Sequence, residues 1–178
     1  MRICAFRRAC PFLLVLLGMG ANAEIHGEAN LAVVSNSVYR GVKLIDHGAA
    51  LQARVQARSD AGLYIGVWAS RVDYPFDDRA LEVDYFGGYH KRWSPQLAAD
   101  ITFLRYTYDK DVNGVSYDWG EIQLAIHLRD RWTFLAGFAD DWIGRDERHQ
   151  IIEGTYRHPL PHTFVAYASL GRQFTDRN

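Results

Sequence analysis

Seven histidines in 178 residues are the first groups that could hold a metal or move a proton. His158 and His162 flank Pro159-Leu160-Pro161, but no third ligand stands at a spacing that a zinc site uses, so a pair of turn histidines is expected. Ser70, Ser116 and Ser169 are available as nucleophiles. None lies in a G-x-S-x-G context, which would expose the hydroxyl on a strained strand-to-helix turn. Asp77-Asp78 and Asp140-Asp141 offer the hard oxygens that divalent cations prefer, as at a lipopolysaccharide surface, though solvated loop charge is the simpler reading. Arg40, next to Gly41, could anchor a ligand; we read it as an inward arginine paired with Glu82, Asp84 or Glu121. The expectation is a protein with no catalytic residue, no metal site and no cofactor.

These side chains need elements to position them, and the chain's start is not one. Arg2, Arg7 and Arg8 form a basic segment, Pro11 to Met19 an apolar one, and Ala21-Asn22-Ala23 a small-residue cleavage site. Residues 1–23 thus read as a secretory signal peptide and 24–178 as a single β-barrel domain. Both cysteines, Cys4 and Cys10, fall in the leader, so the exported chain has neither disulfide nor thiolate ligand. Losing those three arginines takes the formal charge from −1 to −4, which gives nucleic acid no reason to bind.

The remainder alternates with period two. Ala49 to Tyr74 shows this best: Leu51, Ala53, Val55 and Ala57 oppose Gln52, Arg54, Gln56 and Arg58. Ser59-Asp60-Ala61-Gly62 reverses the chain, and Leu63, Ile65, Val67 and Ala69 then share a face. About nine such strands follow one another, the one near 149–158 weakly patterned. A switch of facing near Gly120-Glu121 reads as a β-bulge. Connections alternate between long, charged ones and short turns, as in outer-membrane barrels.

The fold expected is all-β, an antiparallel up-and-down transmembrane β-barrel. A ten-residue strand rises about 33 Å and, tilted, crosses about 25 Å, the height of an outer-membrane apolar band. Arg54, Arg58, Glu82, Asp84 and Asp100 share the polar parity and would face the lumen together with Gln52 and Gln56. Arg40 and Glu121 join them as pore-lining candidates. Tyr39, Tyr74, Tyr89, Trp93, Tyr117, Trp119 and Trp142 stand near strand ends, where interfacial aromatics belong.

Ser35-Asn36-x-Val38-Tyr39-Arg40-Gly41-Val42, Gly62-Leu63-Tyr64-x-Gly66-Val67-Trp68-Ala69-Ser70-x-Val72-Asp73 and Glu82-x-Asp84-x-x-x-Gly88-Tyr89 resemble the TorF-type porin family of proteobacterial outer-membrane β-barrels. Tyr117-Asp118-Trp119-Gly120-Glu121 is similar to a later family segment. Ser37 replaces a usual aromatic and Arg71 a common asparagine. Family members continue to a terminal aromatic, whereas this chain stops at Asn178. Bacterial single-chain barrels also have even strand counts, so a C-terminally incomplete barrel is expected.

The resemblance implies a porin or passive channel for small solutes in the outer membrane of a Gram-negative bacterium. Its partners would be outer-membrane lipid, lipopolysaccharide, and the export and barrel-assembly machinery. Two alternatives stay open. One is a soluble periplasmic lipocalin-like barrel that puts Leu51, Val55, Leu63, Ile65 and Val67 around an apolar ligand. The other is a non-conducting structural or adhesive outer-membrane barrel.

Overall fold

Each stretch of alternating sequence forms a pleated strand, because period two puts one side-chain set on each face of a sheet. The computed structural model describes residues 24–35, 38–43, 48–72, 80–109, 111 and 116–176. The leader 1–23, Tyr74 and Asp77-Asp78 lie outside them. The strands are β1 (Ile25–Val34), β2 (Val38–Tyr39), β3 (Val42–Lys43), β4 (Ala50–Ser59), β5 (Leu63–Val72) and β6 (Ala80–Ser94). They continue as β7 (Leu97–Tyr108), β8 (Trp119–Leu128), β9 (Trp132–Ala139), β10 (Arg148–Pro159) and β11 (Val165–Asp176). No α-helix occurs among the described residues.

Nine strands form one up-and-down antiparallel sheet in the order β1-β4-β5-β6-β7-β8-β9-β10-β11. β2 and β3 make a separate hairpin within the β1–β4 connection. The two edge strands do not pair with each other, so the sheet is not closed. The weakly patterned 149–158 stretch is β10, paired with β11 along its whole length and with β9 from His149 to Tyr156.

The bulge expected near Gly120-Glu121 is absent. Pairing runs unbroken from Leu97↔Leu128 to Tyr106↔Trp119, and the one shift in this pair of hairpins falls at Arg92/Ser94. No change of facing is needed, because Trp119 and Glu121 share a parity with Gln123 and His127, while Tyr117 precedes the strand.

The sheet's polarity is the reverse of a water-soluble core. Leu31, Val55, Ile65, Leu124, Phe134 and Ile152 lie on the exposed face, each at least 48% accessible. The opposite face buries Glu82, Asp84, Glu121 and His149. Of the five residues a lipocalin-like cavity would need inside, Leu51, Val55, Ile65 and Val67 are exposed and Leu63 is half-buried.

Rings on the inner face lie flat against the wall over glycines of the next strand. A Cβ on Gly66 would collide with the Phe86 ring, and one on Gly88 with the Tyr64 ring and the Ile101 carbonyl. The Tyr64 hydroxyl reaches Thr102 Oγ1 at 2.5 Å, across that glycine. Missing side chains thus make room for aromatics without pushing them into the centre. By contrast, a Cβ on Gly154 would meet nothing nearer than the Phe134 ring at 3.7 Å. Gly88→Ala should therefore lose about 1–3 kcal/mol through overpacking. Gly154→Ala should be neutral or gain up to about 1 kcal/mol by restricting the unfolded chain. Equilibrium denaturation of the two variants measures the contrast.

Candidate functional site

The β2–β3 hairpin folds against the inner face of the sheet. Tyr39 pairs with Val42, leaving Arg40 and Gly41 as a two-residue turn with φ of 49° and 81°. Both values are left-handed, which suits glycine and strains arginine. The strained residue is held at three points. Its guanidinium contacts Glu121 Oε1 at 2.5 Å and Oε2 at 2.9 Å. Its carbonyl accepts Gln173 Nε2 from β11 at 3.0 Å, and its guanidinium carbon lies 4.6 Å from the Tyr39 ring centroid.

Glu121 is positioned by β8 and takes a further hydrogen bond from Gln123 Nε2 at 3.0 Å. Its carboxylate rests over Gly137, where a Cβ would strike Oε1. Both partners are withdrawn from solvent, the side chains being 8% and 0% accessible. For Arg40, burial is the largest single influence and opposes the charge, but the Glu121 hydrogen bond together with the charge interactions with Tyr39, Glu121 and Tyr106 outweighs it, leaving the pKa raised. For Tyr39, burial pushes the phenol well above its ordinary value and Glu121 adds to the shift, so it stays protonated.

An aromatic layer continues the plug. The Tyr39 and Tyr106 hydroxyls are 2.7 Å apart, and Tyr106 stacks on Trp119 at 4.1 Å with 6° between planes. Trp142, in the β9–β10 connection, stacks at 4.6 Å on His149, whose Nε2 meets Gln173 Oε1 at 3.0 Å. These contacts fill the half of the interior nearer the long connections.

The other half is a cavity of about 850 Å³, with Arg54, Gln56, Arg58, Asp84 and Asp100 among its lining residues. Asp100 Oδ2 lies between two histidines, His90 Nδ1 at 2.9 Å and His127 Nε2 at 2.8 Å. His127 Nδ1 is 3.0 Å from Thr133 Oγ1. Among the described residues, the one group with clustered metal-ligating atoms is Glu24, His26 and Asp60, all exposed and within 4.8 Å of one another.

The structure thus divides the pore-lining candidates. Arg54, Gln56, Arg58, Asp84 and Asp100 line the cavity, whereas Arg40 and Glu121 are spent inside the plug. Glu82 is buried, with Oε1 accepting the Tyr108 hydroxyl at 3.1 Å. Gln52 is half-buried on β4, in register with Ser70.

The interfacial aromatics divide as well. Tyr89 and Trp93 are exposed on the outward parity of β6. Tyr39, Trp119 and Trp142 instead turn inward, because nearness to a strand end says nothing of which face a ring takes. Tyr117 is half-buried before β8, with Arg145 5.8 Å from its ring centroid. Tyr106, His149, Gln173, His90 and His127 were not singled out from sequence. Their parity with known inward residues, such as Tyr106 with Asp100 and His127 with Glu121, was the available signal.

Fold and site together define an all-β protein with an apolar outer face and a polar interior, half plugged and half hollow. The chain belongs to the family described as "Bacterial protein of unknown function (Gcw_chp)", whose model matches residues 19–178. No curated protein and no solved structure matches it.

Removing one member of a buried ion pair strands the other charge, at about 3–5 kcal/mol. Glu121→Gln alone should lose about that much stability, and Arg40→Met with Glu121→Gln should recover a large part of it. A double-mutant cycle by denaturation reads the coupling, which a solvated pair would show at under about 1 kcal/mol.

Proposed function

We propose that the protein is an outer-membrane β-barrel serving as a passive channel for small solutes, its bore narrowed by the Tyr39–Arg40 hairpin. The observation that carries this reading is the reversed polarity of the nine-stranded sheet: large apolar side chains outside, carboxylates and arginines inside. In water that arrangement exposes the surface folding normally buries. In a bilayer it is the favourable one, since an outward arginine or lysine at mid-depth costs about 2–4 kcal/mol. Strands of eight to fifteen residues in the sheet and alternating long and short connections support the same reading. So does the resemblance of the 35–89 region to TorF-type porins.

On this reading the leader directs export, and the short turns after β4, β6, β8 and β10 face the periplasm. The plug favours one rival, a non-conducting barrel, because the aromatic layer fills the bore at one end.

Two experiments separate these. The exported full chain should stay with outer membranes through carbonate extraction and show heat-modifiable gel mobility; release into the soluble fraction would remove the membrane reading. In planar bilayers it should give discrete conductance steps that grow in a Tyr39→Ala/Arg40→Ala variant. Silence from both, with folding shown by gel shift, would leave the structural barrel.

A further inference from the structure

The cavity beneath the plug has a chemistry of its own. Five arginines line it, Arg54, Arg58, Arg92, Arg131 and Arg157, against three carboxylates, Asp84, Asp100 and Asp130. Two of the carboxylates are already engaged. Asp100 is shared by His90 and His127, and Asp130 takes Arg92 at 3.3 Å. The third, Asp84, is buried in the wall, in register with Trp68.

The arginines are less committed. Arg54 donates to Gln56 Oε1 at 2.7 Å and lies 4.5 Å over the Phe86 ring. Arg58, Arg131 and Arg157 have no carboxylate partner among the described residues. Arg131 and Arg157 are neighbours, because the Arg157 amide donates to the Arg131 carbonyl at 2.7 Å. Arg58 lies on β4, in register with Tyr64, several strands away. Guanidinium groups present forked donors that match carboxylate and phosphate oxygens. With five arginines against three carboxylates, the hollow carries an excess of positive charge that an entering anion would offset.

The wall also offers apolar surface. Tyr64, Trp68 and Phe86 line the cavity from adjacent strands, and the Tyr64 and Phe86 rings are 6.4 Å apart. A hollow of about 850 Å³ falls within the roughly 300–1,000 Å³ of small-molecule sites.

We infer that this cavity is a binding site for a soluble organic anion, a carboxylate or phosphate joined to an aromatic or apolar body. The neighbouring Arg131 and Arg157 meet the acid group, and the Tyr64–Trp68–Phe86 wall meets the body. The inference deepens the channel reading by naming a solute class, yet binding in micelles does not require conduction. A silent bilayer with intact binding would remove the channel and keep the site.

The test is calorimetric titration of the full mature chain, folded in neutral detergent, with phenyl phosphate, benzoate and benzylammonium. Phenyl phosphate and benzoate should bind at one site, more tightly at low salt, and benzylammonium should not. Arg131→Gln/Arg157→Gln should weaken phenyl phosphate roughly tenfold or more, since each substitution removes a charged hydrogen-bond donor. Arg71→Gln, on the outward face, should change nothing. Equal binding of the cation and the anions, no binding, or indifference to the double substitution would overturn the inference. Displacement of phenyl phosphate by added phosphatidylglycerol would also overturn it, assigning the arginines to a lipid headgroup.

Discussion

The contact on which the interior depends is the buried pair between Arg40 and Glu121. Two charges withdrawn from water repay their desolvation only with good geometry and with the remaining polar atoms satisfied. Here the guanidinium meets both carboxylate oxygens, and Gln123 takes one of them as well. The wall yields a place for the carboxylate by having no side chain at Gly137. The hairpin that carries Arg40 has only two paired residues on each arm and could not hold itself inside. The hairpin's other contacts, Tyr39 with Tyr106 and Gln173 with the Arg40 carbonyl, then hold it against the wall.

The two halves of the interior obey different rules. In the plugged half, aromatic stacking and a complete ion pair replace water. In the hollow half, charges line a cavity, and Arg58, Arg131 and Arg157 have no carboxylate partner among the described residues. The His90–Asp100–His127 group lies in this second half, so that one carboxylate is shared between histidines and withdrawn from the arginines. Plug and hollow are thus one design, with neutralisation at one end and an unbalanced field at the other.

Much of this was legible in the chain. Alternation gave away the nine strands and, except at the start of β8, their facing, because a one-residue slip would exchange apolar and polar sets throughout. At the start of β8 a change of facing was expected, and the pairing runs unbroken. It also put Arg54, Arg58, Asp84 and Asp100 on one surface, where the structure has them. The pairing of Arg40 with one of three acids could be anticipated; that it is Glu121 could not, since the strands are 81 residues apart. The inward turn of Trp119 was obscured because it was grouped by nearness to a strand end when its parity with Glu121 carried the answer. The two-histidine bridge on Asp100 joins three strands and leaves no short-range pattern.

The bond from Gln173 to the Arg40 carbonyl spans 133 residues. Contacts between such distant parts of a chain form late, since the intervening loop must first be ordered. Arg40 also needs β8, which supplies Glu121, before its strained turn gains anything by entering. The N-terminal hairpin, among the earliest segments to be made, is therefore among the last to dock. Until β11 arrives, the hairpin lacks the Gln173 hydrogen bond to its turn.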